Sequence, residues 1–156
     1  DELIQEKVQE ILSMEALFRR GMTFFHAGQI VKARPCFEEV AQRVPEQAEF
    51  RVYLGYTLWR LERGRNPAEA ARGRRMLEEA LQAGGRDDAF VLLGRVCREE
   101  GDVEGAARAW ARALASNPQN REASREVERM RQAQETRTGP GDLKGLLSRF
   151  LGGRKP

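Results

Sequence analysis

This chain has one histidine, two cysteines, six prolines and no apolar run approaching the ~18 residues of a membrane span. Each scarcity removes a class of function. The lone His26 has no partner with which to form a catalytic triad. Cys36 and Cys97 lack the spacing of a metal or redox motif and read as reduced packing thiols, a usage that fits a cytoplasmic compartment. There is no phosphate-binding loop, no dinucleotide fingerprint and no His-Glu-x-x-His zinc motif. The adjacent carboxylates Glu38-Glu39, Glu78-Glu79 and Glu99-Glu100 point in different directions on a helix, so they read as solvated faces rather than acid–base pairs. The expectation is a protein without catalysis, cofactor or metal.

What the chain has suits one soluble helical domain: 156 residues, 40% apolar and 33% charged. No signal peptide is visible, and the first residue is Asp1 rather than Met, which suggests a fragment or a processed chain. The net charge is +3 and uneven, with Lys144, Arg149, Arg154 and Lys155 against Asp142 in the last eighteen residues. No continuous basic stripe is interleaved with aromatics, which argues against nucleic acid as a partner.

Three glycines recur inside one phrase. Gly21 lies in Leu17-Phe18-Arg19-Arg20-Gly21-Met22-Thr23-Phe24, Gly55 in Arg51-Val52-Tyr53-Leu54-Gly55-Tyr56-Thr57-Leu58, and Gly94 in Phe90-Val91-Leu92-Leu93-Gly94-Arg95-Val96-Cys97. With the glycine at position 8 of a 34-residue unit, the first unit has Leu17 at 4, Phe24 at 11, Gly28 at 15, Ala33 at 20, Phe37 at 24 and Pro45 at 32. The third has Phe90 at 4, Gly101 at 15, Ala106 at 20, Trp110 at 24, Ala113 at 27 and Pro118 at 32. Small residues at 8 and 20 let two helices approach closely, large residues at 11 and 24 fill the space between pairs, glycine at 15 suits a turn with positive φ, and proline ends the second helix. A period of this length built from helix pairs marks a stacked solenoid.

The pattern resembles the tetratricopeptide repeat family over residues 14–120. The resemblance implies an all-α solenoid: an N-terminal helical extension at 1–13, repeats at 14–47, 48–86 and 87–120, a capping helix at 121–138, and a linker with an amphipathic tail helix at 139–156. Between Gly55 and Ala80 the second unit has six residues too many, which is read as a lengthened inter-helix turn, with Asn66 and Pro67 opening the next helix. That feature is similar to repeat segments of larger bacterial proteins, some with a J domain upstream; no J domain occurs in this sequence. Pro35 is expected to bend the second helix or mark a late start.

In this family the first helix of each pair lines a concave, ligand-binding groove. The matching positions are Phe18, Arg19, Met22 and Phe25, then Tyr53, Tyr56, Trp59 and Arg60, then Leu92 and Arg95, with Tyr56 and Trp59 expected as the chief contacts. One subclass grips a terminal carboxylate with Lys and Asn at positions 5 and 9; Phe18 and Met22 stand there, so that clamp is missing. The remaining surface suits an apolar or amphipathic peptide. In the tail, Leu143, Leu146, Leu147, Phe150 and Leu151 form an apolar face that is unstable alone in water and needs a docking site. The sites weighed are this solenoid or a neighbouring copy's, a separate protein, or a membrane surface. The functional expectation is an adaptor or scaffold binding a protein partner, with a membrane-associated assembly factor or a chaperone-type module as the alternative.

Overall fold

The computed structural model describes residues 1–138 and Ser148, and its regular structure is helical throughout. The helices are α1 (Glu2–His26), α2 (Ile30–Arg43), α3 (Ala48–Glu62), α4 (Pro67–Gln82), α5 (Asp87–Glu99), α6 (Val103–Ser116) and α7 (Arg121–Thr138). Consecutive helices pair as hairpins, and the chain divides into two compact units. Unit 1 is Asp1–Gly85 with α1 to α4; unit 2 begins at Arg86 and holds α5 to α7.

In unit 1, the Asp1 side chain caps α1 by accepting from the Leu3 N–H, and nothing then interrupts the helix for 25 residues. Gly28 turns the chain with φ +76, a conformation open to few other residues. The α1–α2 contact is as close as the sequence pattern implies. A Cβ on Gly21 would lie 2.7 Å from the Phe37 ring and 2.9 Å from the Cys36 Cβ. Helix α2 begins at Ile30 and runs through Pro35 to Arg43, so Pro35 does not delay its start. The proline is exposed, and water can serve the carbonyl that its missing N–H leaves free.

The α3–α4 hairpin differs from the expectation. Its turn, residues 63–66, is one residue longer than the turn at 27–29 or at 100–102. The other extra residues are helical. Helix α3 continues seven residues past Gly55, where α1 and α5 continue five past Gly21 and Gly94. Helix α4 begins ten residues before Leu77, where α2 and α6 begin seven before Phe37 and Trp110. The insertion therefore lengthens both helices as well as their turn, because Asn66 accepts from the Glu69 N–H at 3.3 Å and Pro67 starts a new helix on the spot. Here the helices meet backbone to backbone: a Cβ on Gly55 would lie 2.6 Å from the Gly73 carbonyl, and one on Gly73 would lie 2.5 Å from the Gly55 carbonyl.

Unit 2 packs α5 on α6 around Trp110, with Val91, Cys97, Ala106, Ala113 and Ala123 buried beside it. Both cysteines are buried, and neither forms a disulfide. The turn into α7 is built from side chains. Asn117 accepts from the Gln119 N–H, and Asn120 caps α7 by accepting from the Ala123 N–H at 2.9 Å. The amides of both donate to Asp87 Oδ2 at the start of α5, at 2.9 and 2.8 Å. These bonds hold the Asp87 carboxyl below its ordinary range, Asn120 contributing most and Asn117 next.

Candidate protein-binding surfaces

Aromatic rings join α1, α2 and α3 in unit 1. Phe18 lies 4.8 Å from Phe50 and 5.7 Å from both Phe37 and Tyr53. Phe25 meets Tyr53 edge-on at 5.4 Å and Tyr56 at 5.6 Å, and Tyr56 continues to Trp59 at 6.0 Å. Such pairs add about 0.5–1.5 kcal/mol each beyond their burial. The cluster arises because residues 52–59 of α3 are buried on every side, as expected of a helix that is apolar nearly all round.

That burial sorts the residues singled out from the sequence. Phe25, Tyr53, Tyr56, Trp59 and Leu92 lie inside, with Tyr56 3% and Trp59 4% exposed, so little of either ring remains for a ligand. Phe18, Met22 and Arg95 are half-buried, and Arg19 and Arg60 are exposed. The Arg60 guanidinium donates to the Tyr56 hydroxyl at 3.4 Å, which ties one exposed cation to the buried ring layer. The Arg63 guanidinium lies over the Trp59 ring at 4.8 Å. Phe24, expected as a core aromatic, is half-buried between the cations of Arg20 and Lys32. Leu143, Leu146, Leu147, Phe150 and Leu151 lie outside the described residues.

In unit 2 the polar groups of α5 are engaged by α7. Arg95 donates in a fork to Glu122 at 2.5 and 2.6 Å. Arg98 donates to Glu126 at 2.8 Å while its guanidinium lies over the Trp110 ring. Glu126 is almost buried and takes a second bond from Arg129 at 3.1 Å. Arginine suits this role because its planar fork matches a carboxylate with little further ordering. A ligand approaching Arg95 would have to displace Glu122.

Unit 2 also carries a groove of about 770 Å³ between α6 and α7. Val103, Val127 and Met130 line it above the buried Ala106 and Trp110, and arginines stand on its edge. The sequence shows only the narrow Val127–Met130 stripe; the residues of α6 opposite it are visible once the helices are packed. Among the described residues there is no cluster of potential metal ligands, and no helix is long and apolar enough to cross a membrane.

A family model described as Tetratricopeptide repeat matches residues 18–71 and again 68–122. No curated protein matches the chain.

Proposed function

Because this chain belongs to the tetratricopeptide repeat family, whose repeats build protein-interaction modules, we propose that it is a non-catalytic adaptor whose α1–α3 face binds an apolar or amphipathic segment of a partner. One observation carries this reading. Arg19, Met22 and Arg60 stay accessible on helices joined by the buried layer of Phe25, Tyr53 and Tyr56. A rigid aromatic base with accessible arginine and methionine above it offers pre-organised anchors at small entropic cost. The partner segment has apolar residues for Met22 and Phe18 and carboxylates for Arg19 and Arg60. A peptide carrying only a free terminal carboxylate is a poor ligand, since no lysine–asparagine pair stands at Phe18 and Met22.

Selection from a displayed peptide library against the purified protein tests this. The variant to compare is Arg19→Glu, Met22→Glu, Arg60→Glu, whose sites are exposed or half-exposed and whose helix content should match the parent. Selected peptides should combine apolar and acidic residues and bind the variant at least about tenfold more weakly, the loss of one or two good anchors. Peptides that bind both proteins equally would place the binding surface elsewhere.

A further inference from the structure

Two apolar faces of this molecule are open, one at each end of the described chain. The first is on α1. Leu3, Ile4, Val8, Ile11 and Leu12 are 73, 63, 48, 47 and 50% exposed, and they recur at helical spacing, so they form one stripe over three turns. The first residue of α1 to be buried is Met14. Apolar area of this kind, contiguous and in water, marks a docking face. The second, among the described residues, is the groove of unit 2 lined by Val103, Val127 and Met130, with Trp110 buried beneath them.

Charge selects the occupant. The stripe on α1 is accompanied by Asp1, Glu2, Glu6, Glu10 and Glu15 against Lys7 alone. The groove is lined by Arg98, Arg129, Arg131 and Arg137 against Glu104 and Glu126, an excess of positive charge, although Arg98 and Arg129 engage Glu126 and Arg131 engages Glu128 and Glu135. Arg137 is exposed, with no ion pair among the described residues. An acidic apolar helix thus matches a basic apolar groove in both charge and surface. The chain's own tail, with Lys144, Arg149, Arg154 and Lys155, would bring like charge to the same arginines.

We infer that the first half of α1 from a second copy of this chain docks in the α6–α7 groove of unit 2. Each copy carries one stripe and one groove, so every contact pairs two unlike surfaces. A single helix in a groove buries less than a standard interface of about 1,600 Å², so association is weak, on the order of tens of micromolar.

Sedimentation velocity on the full chain tests this from about 10 to about 500 µM, a range that brackets that affinity. The expected result is association that grows with concentration and weakens as salt rises from about 50 to about 500 mM. Val8→Glu with Ile11→Glu removes the stripe, and Arg129→Glu with Arg137→Glu reverses the groove edge. All four positions are exposed, so each variant should fold and remain monomeric alone. Mixed in equal amounts, the two variants should form a dimer and nothing larger, because one intact stripe meets one intact groove. Deleting residues 139–156 should leave assembly in place. A wild type monomeric at the highest concentration, a mixture that does not dimerise, or loss of assembly with the tail removed would each overturn the inference.

Discussion

In unit 1, helices α1, α2 and α3 meet through rings: Phe37 alone lies within 6.1 Å of Phe18, Phe25 and Tyr53. In unit 2, α5 and α6 meet around the fully buried ring of Trp110 with alanines beside it and Phe90 partly buried against it, and α7 adds arginine–carboxylate pairs to the packing of Ala123, Val127 and Met130. The same hairpin is thus stabilised by two kinds of chemistry. Burial of rings is indifferent to salt, and the contact of one ring backs up another. The unit 2 design centres its packing on one large side chain and adds, at the outer helix, charge pairs that respond to salt. It also decides which unit offers open anchors. The arginines of α5 are engaged within unit 2, whereas Arg19 and Arg60 of unit 1 project from a layer that apolar packing already holds.

Removing the central ring from each unit is the strongest way to break this comparison. Trp110→Ala should cost about 4 kcal/mol, because a fully buried indole is lost and the alanines among its neighbours cannot fill the hole. Phe37→Ala should cost about 3 kcal/mol, since Phe18, Phe25 and Tyr53 can relax into part of the space. Urea unfolding of both variants measures this, and equal losses would remove the claim that ring contacts in unit 1 are redundant.

Next in size is the close approach of helices. Gly55→Ala should cost about 3 kcal/mol, because the new methyl meets the Gly73 carbonyl and the Leu77 N–H, and α4 must move as a body. Gly21→Ala should cost about half as much, since its methyl meets mainly the edge of the Phe37 ring. Thermal unfolding reads the order. A larger loss at Gly21 would mean that the ring layer is more rigid than the backbone contact.

These positions also show where a sequence can and cannot be read. Gly21, Gly55 and Gly94 announce the hairpins because a close helix approach tolerates almost nothing else, and Phe37 and Trp110 follow at a fixed spacing. Gly73 escaped notice because six extra residues separate it from the pattern, although it lies four residues before Leu77, as Ala33 does before Phe37. The candidate face was harder. Helical spacing places Tyr53, Tyr56 and Trp59 on α3 but cannot tell how many neighbours surround that helix, so residues that a periodic pattern assigns to a ligand turn out to be 3–4% exposed. The Arg98–Glu126 pair joins residues 28 apart and the α6–α7 groove joins two separate helices, with no local signal for either.

The polar attachment of α7 comes next. Glu126→Ala removes the acceptor of both Arg98 and Arg129 and should destabilise unit 2 by about 1.5 kcal/mol, the range of hydrogen bonds to charged groups. The loss should shrink when salt is raised. Arg131, at the groove edge with its partners Glu128 and Glu135 one turn to either side on α7, pairs with two exposed acids and should give no measurable stability change as Arg131→Ala. A double-mutant cycle between Arg98 and Glu126 separates the pair from the lost packing, and a coupling energy near zero would show that α7 is held by its apolar packing and the Arg95–Glu122 pair without it.

The smallest effect is the one that only unit 2 should show, a loss of stability in acid from a single carboxylate. Asp87 is held below its ordinary value of 3.8 in the folded chain by the amides of Asn120 and Asn117. The unfolded chain therefore takes up a proton first as pH falls, and the stabilisation, complete above about pH 5, fades below about pH 4 and is gone once the folded group also titrates. Asp87→Asn has no such proton to take up. The stability difference between wild type and Asp87→Asn should be constant from about pH 7 to about pH 5 and should narrow below about pH 4. Other acids, including Glu128 held low by Arg131, cancel in that difference. A difference that stays level down to about pH 3 would mean that the two asparagines orient the turn into α7 without favouring the ionised form of Asp87.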